Sequence, residues 1–258
     1  MSVLRIEDTD RVRLLTLNRP DQLNAFNNEL YDSVRDALAE AADRPDIAVV
    51  VITGEGRAFS AGQDLGELTH MPTYDDGLRH GFIPFIEVVE SFPKPMIAAV
   101  NGVGVGIGLT LLPHCDLVFM AEGARLQAPF VRLGVTAEAA STVLLPALVG
   151  WQETAHLLYT ASFIDAARAV EIGLAWRRCE PEHLLTEAMD MAATIAKMPV
   201  SSLVTTKKLL VEARIDACRE ARARENPAFA GLVGGPANRE AIMAFREKRD
   251  PDFTNLPT

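Results

Sequence analysis

The sequence predicts an α/β protein: a parallel sheet with helical crossovers, followed by a mostly helical C-terminal portion. Two observations carry this. Short β-branched runs alternate with amphipathic segments through the first half of the chain. From Ala139 onward the pattern turns helical throughout, with Ser, Asp, Pro and Gly between the helices.

The elements follow in order. Val12–Leu17 reads as a strand, and Asn27–Ala42 places Leu30, Val34, Ala37, Leu38 and Ala41 on one helical face. Ala48–Thr53 is a continuous apolar run ending at Gly54, as a strand buried on both faces requires. Arg79–Phe92 reads as a second helix and Met96–Val100 as a third strand. Gly106–Leu112 can open a helix, and Leu117–Ala121 a further strand. Helices are then expected over Ala139–Leu148, Gln152–Tyr159, Asp165–Ile172, Glu182–Ala196 and Val200–Ala213. The apolar stretch from Met96 to Pro113 is interrupted by glycines and Asn101, so it reads as strand plus helix rather than a membrane span.

Composition narrows the function classes. The chain has 258 residues, 48% of them hydrophobic and 23% charged, ordinary for a globular enzyme. A net charge of −10 argues against nucleic acid or an anionic membrane as partner. Cys115, Cys179 and Cys218 are odd in number, which suits free thiols in a reducing compartment. The N-terminal segment lacks the apolar core of a secretory signal, and Asn255–Thr258 is not a peroxisomal address, so a cytoplasmic location is expected. His70, His80, His114, His156 and His183 share no metal-ligand spacing, and no metal is expected.

Two loops hold the chemistry. The first is Arg57-Ala58-Phe59-Ser60-Ala61-Gly62-Gln63-Asp64, and the second is Ala98-Ala99-Val100-Asn101-Gly102-Val103-Gly104-Val105-Gly106-Ile107-Gly108. Each follows a β-branched run and is built of small residues. Parallel strands can set such loops side by side, so that two backbone N–H groups converge on one carbonyl oxygen, as an oxyanion hole requires. A dinucleotide-binding G-x-G-x-x-G fails in both frames, ending on Ile107 or Leu109. A glycine run that only packs a helix tightly on a strand remains open.

The two loops together resemble the signature of the crotonase (enoyl-CoA hydratase/isomerase) superfamily, and the resemblance runs from Leu17-Asn18-Arg19-Pro20 to Phe245-Arg246-Glu247-Lys248-Arg249-Asp250-Pro251. It implies a ClpP-like spiral of ββα units over 1–195, with helices over 196–258 that build a homotrimer or dimer of trimers. It implies a coenzyme A thioester as substrate and no further cofactor. The hole donors would be the N–H groups of Gln63 and Ile107, beside Gly62 and Gly106. Asn24, Ala25 and Phe26 would offer backbone groups to the adenine end. Arg57 and, from a neighbouring subunit, Phe245 with Lys248 or Arg249 would approach the phosphates. Ala61, Asp64, Thr110 and Phe130 complete the implied lining.

The two glutamates of a crotonase-type hydratase fall on Thr110 and Phe130, neither of which can act as a carboxylate base. The segment Gln127-Ala128-Pro129-Phe130-Val131-Arg132-Leu133-Gly134-Val135-Thr136-Ala137-Glu138-Ala139-Ala140-Ser141-Thr142 instead resembles the Pro-Phe…Leu-Gly…Pro-Glu-Gly-Ser-Ser pattern of peroxisomal-type delta-3,delta-2-enoyl-CoA isomerases. Val105-Gly106-Ile107-Gly108-Leu109-Thr110-Leu111-Leu112 matches the same branch. Ala137 and Ala139 stand where that branch has Pro and Gly. Its single catalytic glutamate maps onto Glu138, giving a reaction that moves a 3-enoyl-CoA double bond to the 2-position. By residue chemistry alone, Glu138 is equally an acid at a helix N-terminus. A homologue that binds acyl-CoA without turnover, or another reaction of the superfamily such as hydration or hydrolysis, stays open. Asp64 is equally a cap for a helix over Leu65–Thr69, Asn101 a turn residue, and Asp116 a structural one. Met71–Arg79 reads as a loop beside the acyl pocket.

Overall fold

The computed structural model describes residues 2–64, 66–67, 79–254 and 256. Its larger sheet has six strands: β1 (Leu4–Thr9), β2 (Val12–Leu17), β3 (Val49–Gly54), β5 (Met96–Val100), β7 (Leu117–Ala121) and β10 (Arg177–Cys179), in the order β1-β2-β3-β5-β7-β10. β1 and β2 form an antiparallel hairpin, closed by Asp10 and Arg11 at φ 48° and 69°. Positive φ at both loop residues gives a turn whose twist matches that of the strands. From β2 to β10 every pairing is parallel. β3 and β5 are buried along nearly their whole length, which is why they read as unbroken apolar runs.

A second sheet of four short strands was not apparent in the sequence. It contains β4 (Ala58–Ser60), β6 (Val103–Val105), β8 (Arg125–Gln127) and β9 (Ile164–Asp165), in that order. Strands of two or three residues are too short for alternation to register.

The helices in chain order are α1 (Asn28–Asp43), α2 (Phe82–Ser91), α3 (Ile107–Thr110), α4 (Ser141–Val149), α5 (Trp151–Thr160), α6 (Ala166–Glu171), α7 (Leu184–Ala196), α8 (Val200–Glu212), α9 (Ile215–Leu232) and α10 (Pro236–Glu247). The Asn27 side chain caps α1 by accepting from Leu30 N at 3.0 Å, and the face predicted for this helix is the one it buries. α7 turns Ala188, Ala192 and Ala196 toward the larger sheet; their small side chains let it lie close against β2, β3, β5, β7 and β10. The helix expected over Gly106–Leu112 is shorter, giving way to a 3-10 turn at Leu112–His114. The one expected from Ala139 begins at Ser141, because Ala139 and Ala140 are left-handed.

The C-terminal helices are tied to the core by buried polar contacts. Lys207 of α8 donates to Lys94 O at 2.8 Å and to Asp116 Oδ2 at 2.7 Å, and Asp116 also accepts from Met96 N. Arg222 of α9 pairs with Glu90 of α2 at 2.6 Å, both side chains nearly inaccessible. Among the described residues, no helix is long and apolar enough to cross a membrane.

Candidate active site

β4 and β6 are parallel neighbours, with Ala58 opposite Val103 and Ser60 opposite Gly104. Parallel strands deliver the segments that follow them to the same end of a sheet, so residues 61–64 and Gly106–Ile107 emerge side by side. The two glycines meet almost back to back. A Cβ on Gly106 would lie 3.7 Å from the Gly62 Cα, and one on Gly62 only 2.9 Å from Val105 O. Gly62 also has φ +95°, a conformation that side chains resist. The glycine run is thus needed for contact between two loops as well as for helix packing.

Each loop leaves one N–H without an acceptor among the described residues. Gln63 forms a parallel bridge with Phe26, in which Phe26 N donates to Gly62 O at 2.7 Å and Asp64 N to Phe26 O at 2.9 Å. Those bonds use the groups flanking Gln63 and leave its own N–H on the other side. Ile107 is the first residue of α3; Leu109 N and Thr110 N both return to Gly106 O, at 2.8 and 2.9 Å. A first-turn N–H has no intrahelical partner. No acceptor among the described residues takes the N–H of Gln63 or of Ile107.

Glu138 reaches this place from the loop before α4. Thr110, the last residue of α3 and fully buried, has its hydroxyl 3.1 Å from Glu138 Oε1 and 3.3 Å from Gly106 O. Phe130, Val135, Ala137 and Ala139 are all buried around the carboxyl's loop. Burial pushes the Glu138 carboxyl up to about 8; the Thr110 hydrogen bond opposes this, and the nearby Glu225 charge adds to it. The turn after Glu138 is closed by Ser141, whose N donates to Glu138 O at 3.0 Å. His114 donates its Nε2 hydrogen to Ala139 O at 2.9 Å, and burial lowers the imidazole to about 4, so it is neutral near pH 7. The thiols offer no nucleophile: burial raises Cys115 to about 12 and Cys179 and Cys218 to about 11. Among the described residues no three His, Cys, Asp or Glu side chains converge as metal ligands.

The residues expected at the adenine end are already engaged. Asn24 is fully buried, its Nδ2 donating to Glu55 O and Ala58 O at 2.9 and 2.8 Å, while its O accepts from Ser60 Oγ. Ala25 O accepts from Arg19, and both Phe26 backbone groups serve the Gln63 bridge. The carbonyls of Asn24 and Ala25 each keep a second lone pair. Arg57 is exposed and has no ion pair among the described residues. Phe245 is 65% exposed, and Lys248 ends α10 in a left-handed conformation at φ 57°. Neither has a hydrogen bond or ring contact to the glycine loops among the described residues. Asp64 accepts from Gly66 N at 2.9 Å, but the helix it was to cap, and the loop over Met71–Arg79, fall almost wholly outside the described residues. Asn101 is a turn residue: its Oδ1 accepts from Gly54 N and its Nδ2 donates to Gly56 O.

Two neighbours of the site were missed in the sequence. Tyr31 is fully buried among Phe26, Phe82 and Phe85, and its hydroxyl donates to Gln63 Oε1 at 2.9 Å. Burial, with the charges of Glu138 and Glu67 behind it, raises its phenol well above the usual value. In the sequence Tyr31 is one more position on the apolar face of α1. Arg19 Nη2 binds Asp64 Oδ2 at 2.8 Å, bracing the first loop from forty-five positions away.

The enoyl-CoA hydratase/isomerase family model matches residues 7–256. The chain belongs to the enoyl-CoA hydratase/isomerase family. It is 33% identical over 250 residues to a probable enoyl-CoA hydratase of Mycobacterium bovis, covering 97% of each chain. It is also 33% identical over 249 residues to the 1,2-epoxyphenylacetyl-CoA isomerase of Escherichia coli, covering 94% of this chain and 95% of that one. A crystal structure of an enoyl-CoA hydratase/isomerase from Pseudoalteromonas atlantica superposes with a TM-score of 0.93 at 34% identity, over 98% of this chain and 100% of that one. The crotonase fold expected from the two glycine loops is therefore the observed one. Relatives in this family are named both as hydratases and as isomerases, so family membership leaves the reaction to the site's own residues.

Proposed function

We propose that this family member is an isomerase that converts a 3-enoyl-CoA into the conjugated 2-enoyl-CoA, with Glu138 as its single acid–base group. The observation that carries the reading is the Thr110–Glu138 contact of 3.1 Å, because it sets one carboxyl beside the short helix that Ile107 opens. By resemblance, Thr110 and Phe130 stand at the positions of the two hydratase glutamates, and neither side chain offers a carboxylate to activate water.

In the step this supports, the thioester oxygen lies between the N–H groups of Gln63 and Ile107. Glu138 takes a proton from C2; the electron pair left behind spreads through the thioester and the alkene, placing negative charge on the oxygen held by the hole. The same carboxyl returns that proton to C4 while the double bond moves from C3–C4 to C2–C3. One base suffices, since C2 and C4 are two bonds apart on one face. A carboxyl near 8 is also a far stronger base than an ordinary glutamate, which suits the abstraction of a weakly acidic C–H proton.

The exposed Arg57 suits the phosphates of coenzyme A, with Lys248 and Phe245 reaching the ligand from an adjoining subunit of a trimer. The enzyme needs no cofactor beyond the thioester itself, and it works in the cytoplasm. The test is to offer 3-enoyl-CoA and 2-enoyl-CoA separately. Accumulation of conjugated thioester from the first, with no 3-hydroxyacyl-CoA from the second, is the expected result. Faster hydration of the second than isomerisation of the first overturns the proposal.

A further inference from the structure

We infer that Glu225, on α9, is a positioning residue for Glu138: its carboxylate fixes the left-handed turn that aims the base. The inference rests on Glu138 being the base. The main-chain path after Glu138 is unusual, since Ala139 and Ala140 take φ of 60° and 57° in succession. Left-handed backbone is unfavourable for alanine, so two such residues in a row persist only where surrounding bonds hold them. α4 has no side-chain cap of its own. Glu225 supplies one from eighty-five positions away. Its Oε2 accepts from Ala140 N at 2.7 Å, and its Oε1 accepts from Thr142 N at 3.0 Å and Thr142 Oγ1 at 2.5 Å. The side chain is buried, and both oxygens are committed to this turn.

The turn is held from its other side by His114, whose Nε2 hydrogen goes to Ala139 O, and from within by Ser141. Glu225 differs from these in charge. Among the described residues, the groups around the turn are Thr110 from α3, the phenol of Tyr31 from α1, the neutral His114, and Glu225 from α9, with Arg222 of the same helix near His114. Arg222 is occupied by Glu90 of α2, and Arg214 donates to Pro113 O. Among the described residues, Glu225 is therefore the neighbouring charge that acts on Glu138, and it disfavours ionisation there. One side chain both aims the base and keeps it strongly basic.

The test is Glu225→Gln, with Glu138→Gln as reference. The amide keeps the size of the side chain, but one end becomes a donor, so an N–H of Ala140 or Thr142 faces another N–H. The expected result is a folded protein whose plateau kcat falls about 10- to 100-fold, with KM within about threefold, since displacing a reacting group by an ångström costs that much. The rising limb of its pH–rate profile moves to lower pH, by about 0.5 to 1 on the pH scale. A folded Glu225→Gln enzyme with unchanged plateau and limb overturns the inference while leaving Glu138 as base. Turnover that survives in Glu138→Gln removes the base reading itself. If Glu225→Gln does not fold, hydrogen exchange of the unaltered protein decides. Slow exchange of the Ala140 and Thr142 amides supports the held turn, and exchange at the rate of a free loop overturns it.

Discussion

Replacing Glu138 by Gln should make the protein more stable in alkaline solution while removing its activity. Burial raises this carboxyl from the ordinary glutamate value of 4.5 to about 8. Between those two values the folded chain holds a proton that the unfolded chain has released. Stability then falls as pH rises through that window, and the cost is complete above the folded value. Each tenfold difference in proton affinity between the folded and unfolded chain corresponds to about 1.36 kcal/mol. The full difference would approach about 5 kcal/mol; Glu138 keeps some accessible surface, so we expect about 2–4 kcal/mol. Gln has no proton to lose, and its Oε1 can still accept from Thr110. The variant should match the unaltered protein near pH 5 and exceed it by that amount at pH 9. Urea denaturation at pH 5, 7 and 9 measures this, with the slope of each transition checked for constancy. A difference that does not change with pH, or a variant less stable at pH 9, would refute the claim that this carboxyl is held in an environment that resists its charge.

Other perturbations test separate parts of the site. Thr110→Val removes the hydrogen bond that favours the ionised carboxyl, so the rising limb of the pH–rate profile should move to higher pH; a limb that stays in place contradicts the role given to Thr110. Gly62→Ala must place a Cβ 2.9 Å from Val105 O at φ +95°, and should lower kcat by about 10²-fold or more through misaligned hole donors; steady-state kinetics reads this. Tyr31→Phe leaves Gln63 Oε1 without its 2.9 Å donor, and a loss of about 1 kcal/mol in stability is expected from denaturant titration. Arg222→Ala leaves the buried Glu90 carboxylate without its partner, and should destabilise the fold by about 3–5 kcal/mol in the same assay.

The central strands were legible because strands buried on both faces read as largely apolar runs; Met96–Val100 and Leu117–Ala121 lie where that pattern puts them, as does the mostly apolar Val12–Leu17. The second sheet was not, although it brings the glycine loops together, because β4, β6, β8 and β9 are too short to show a period. The close approach of the two loops was visible in their glycines, since a Cβ on Gly62 would crowd Val105 O. Glu138 was singled out by resemblance rather than by pattern; alone it reads as an ordinary acid before a helix. Ala139 and Ala140 misled, because alanine favours helix and the bonds that hold their left-handed turn come from Glu225 and His114, far away in the sequence. Tyr31, Arg19 and Glu225 reach the site from far along the chain, through side-chain contacts that no local period encodes.

The most direct measurement is turnover of a 3-enoyl-CoA by the unaltered enzyme and by Glu138→Gln, followed as the absorbance of the conjugated thioester. A single-base isomerase predicts steady formation of 2-enoyl-CoA and a loss of about 10³-fold or more in the variant. Comparable rates in the two proteins would show that some other group moves the proton.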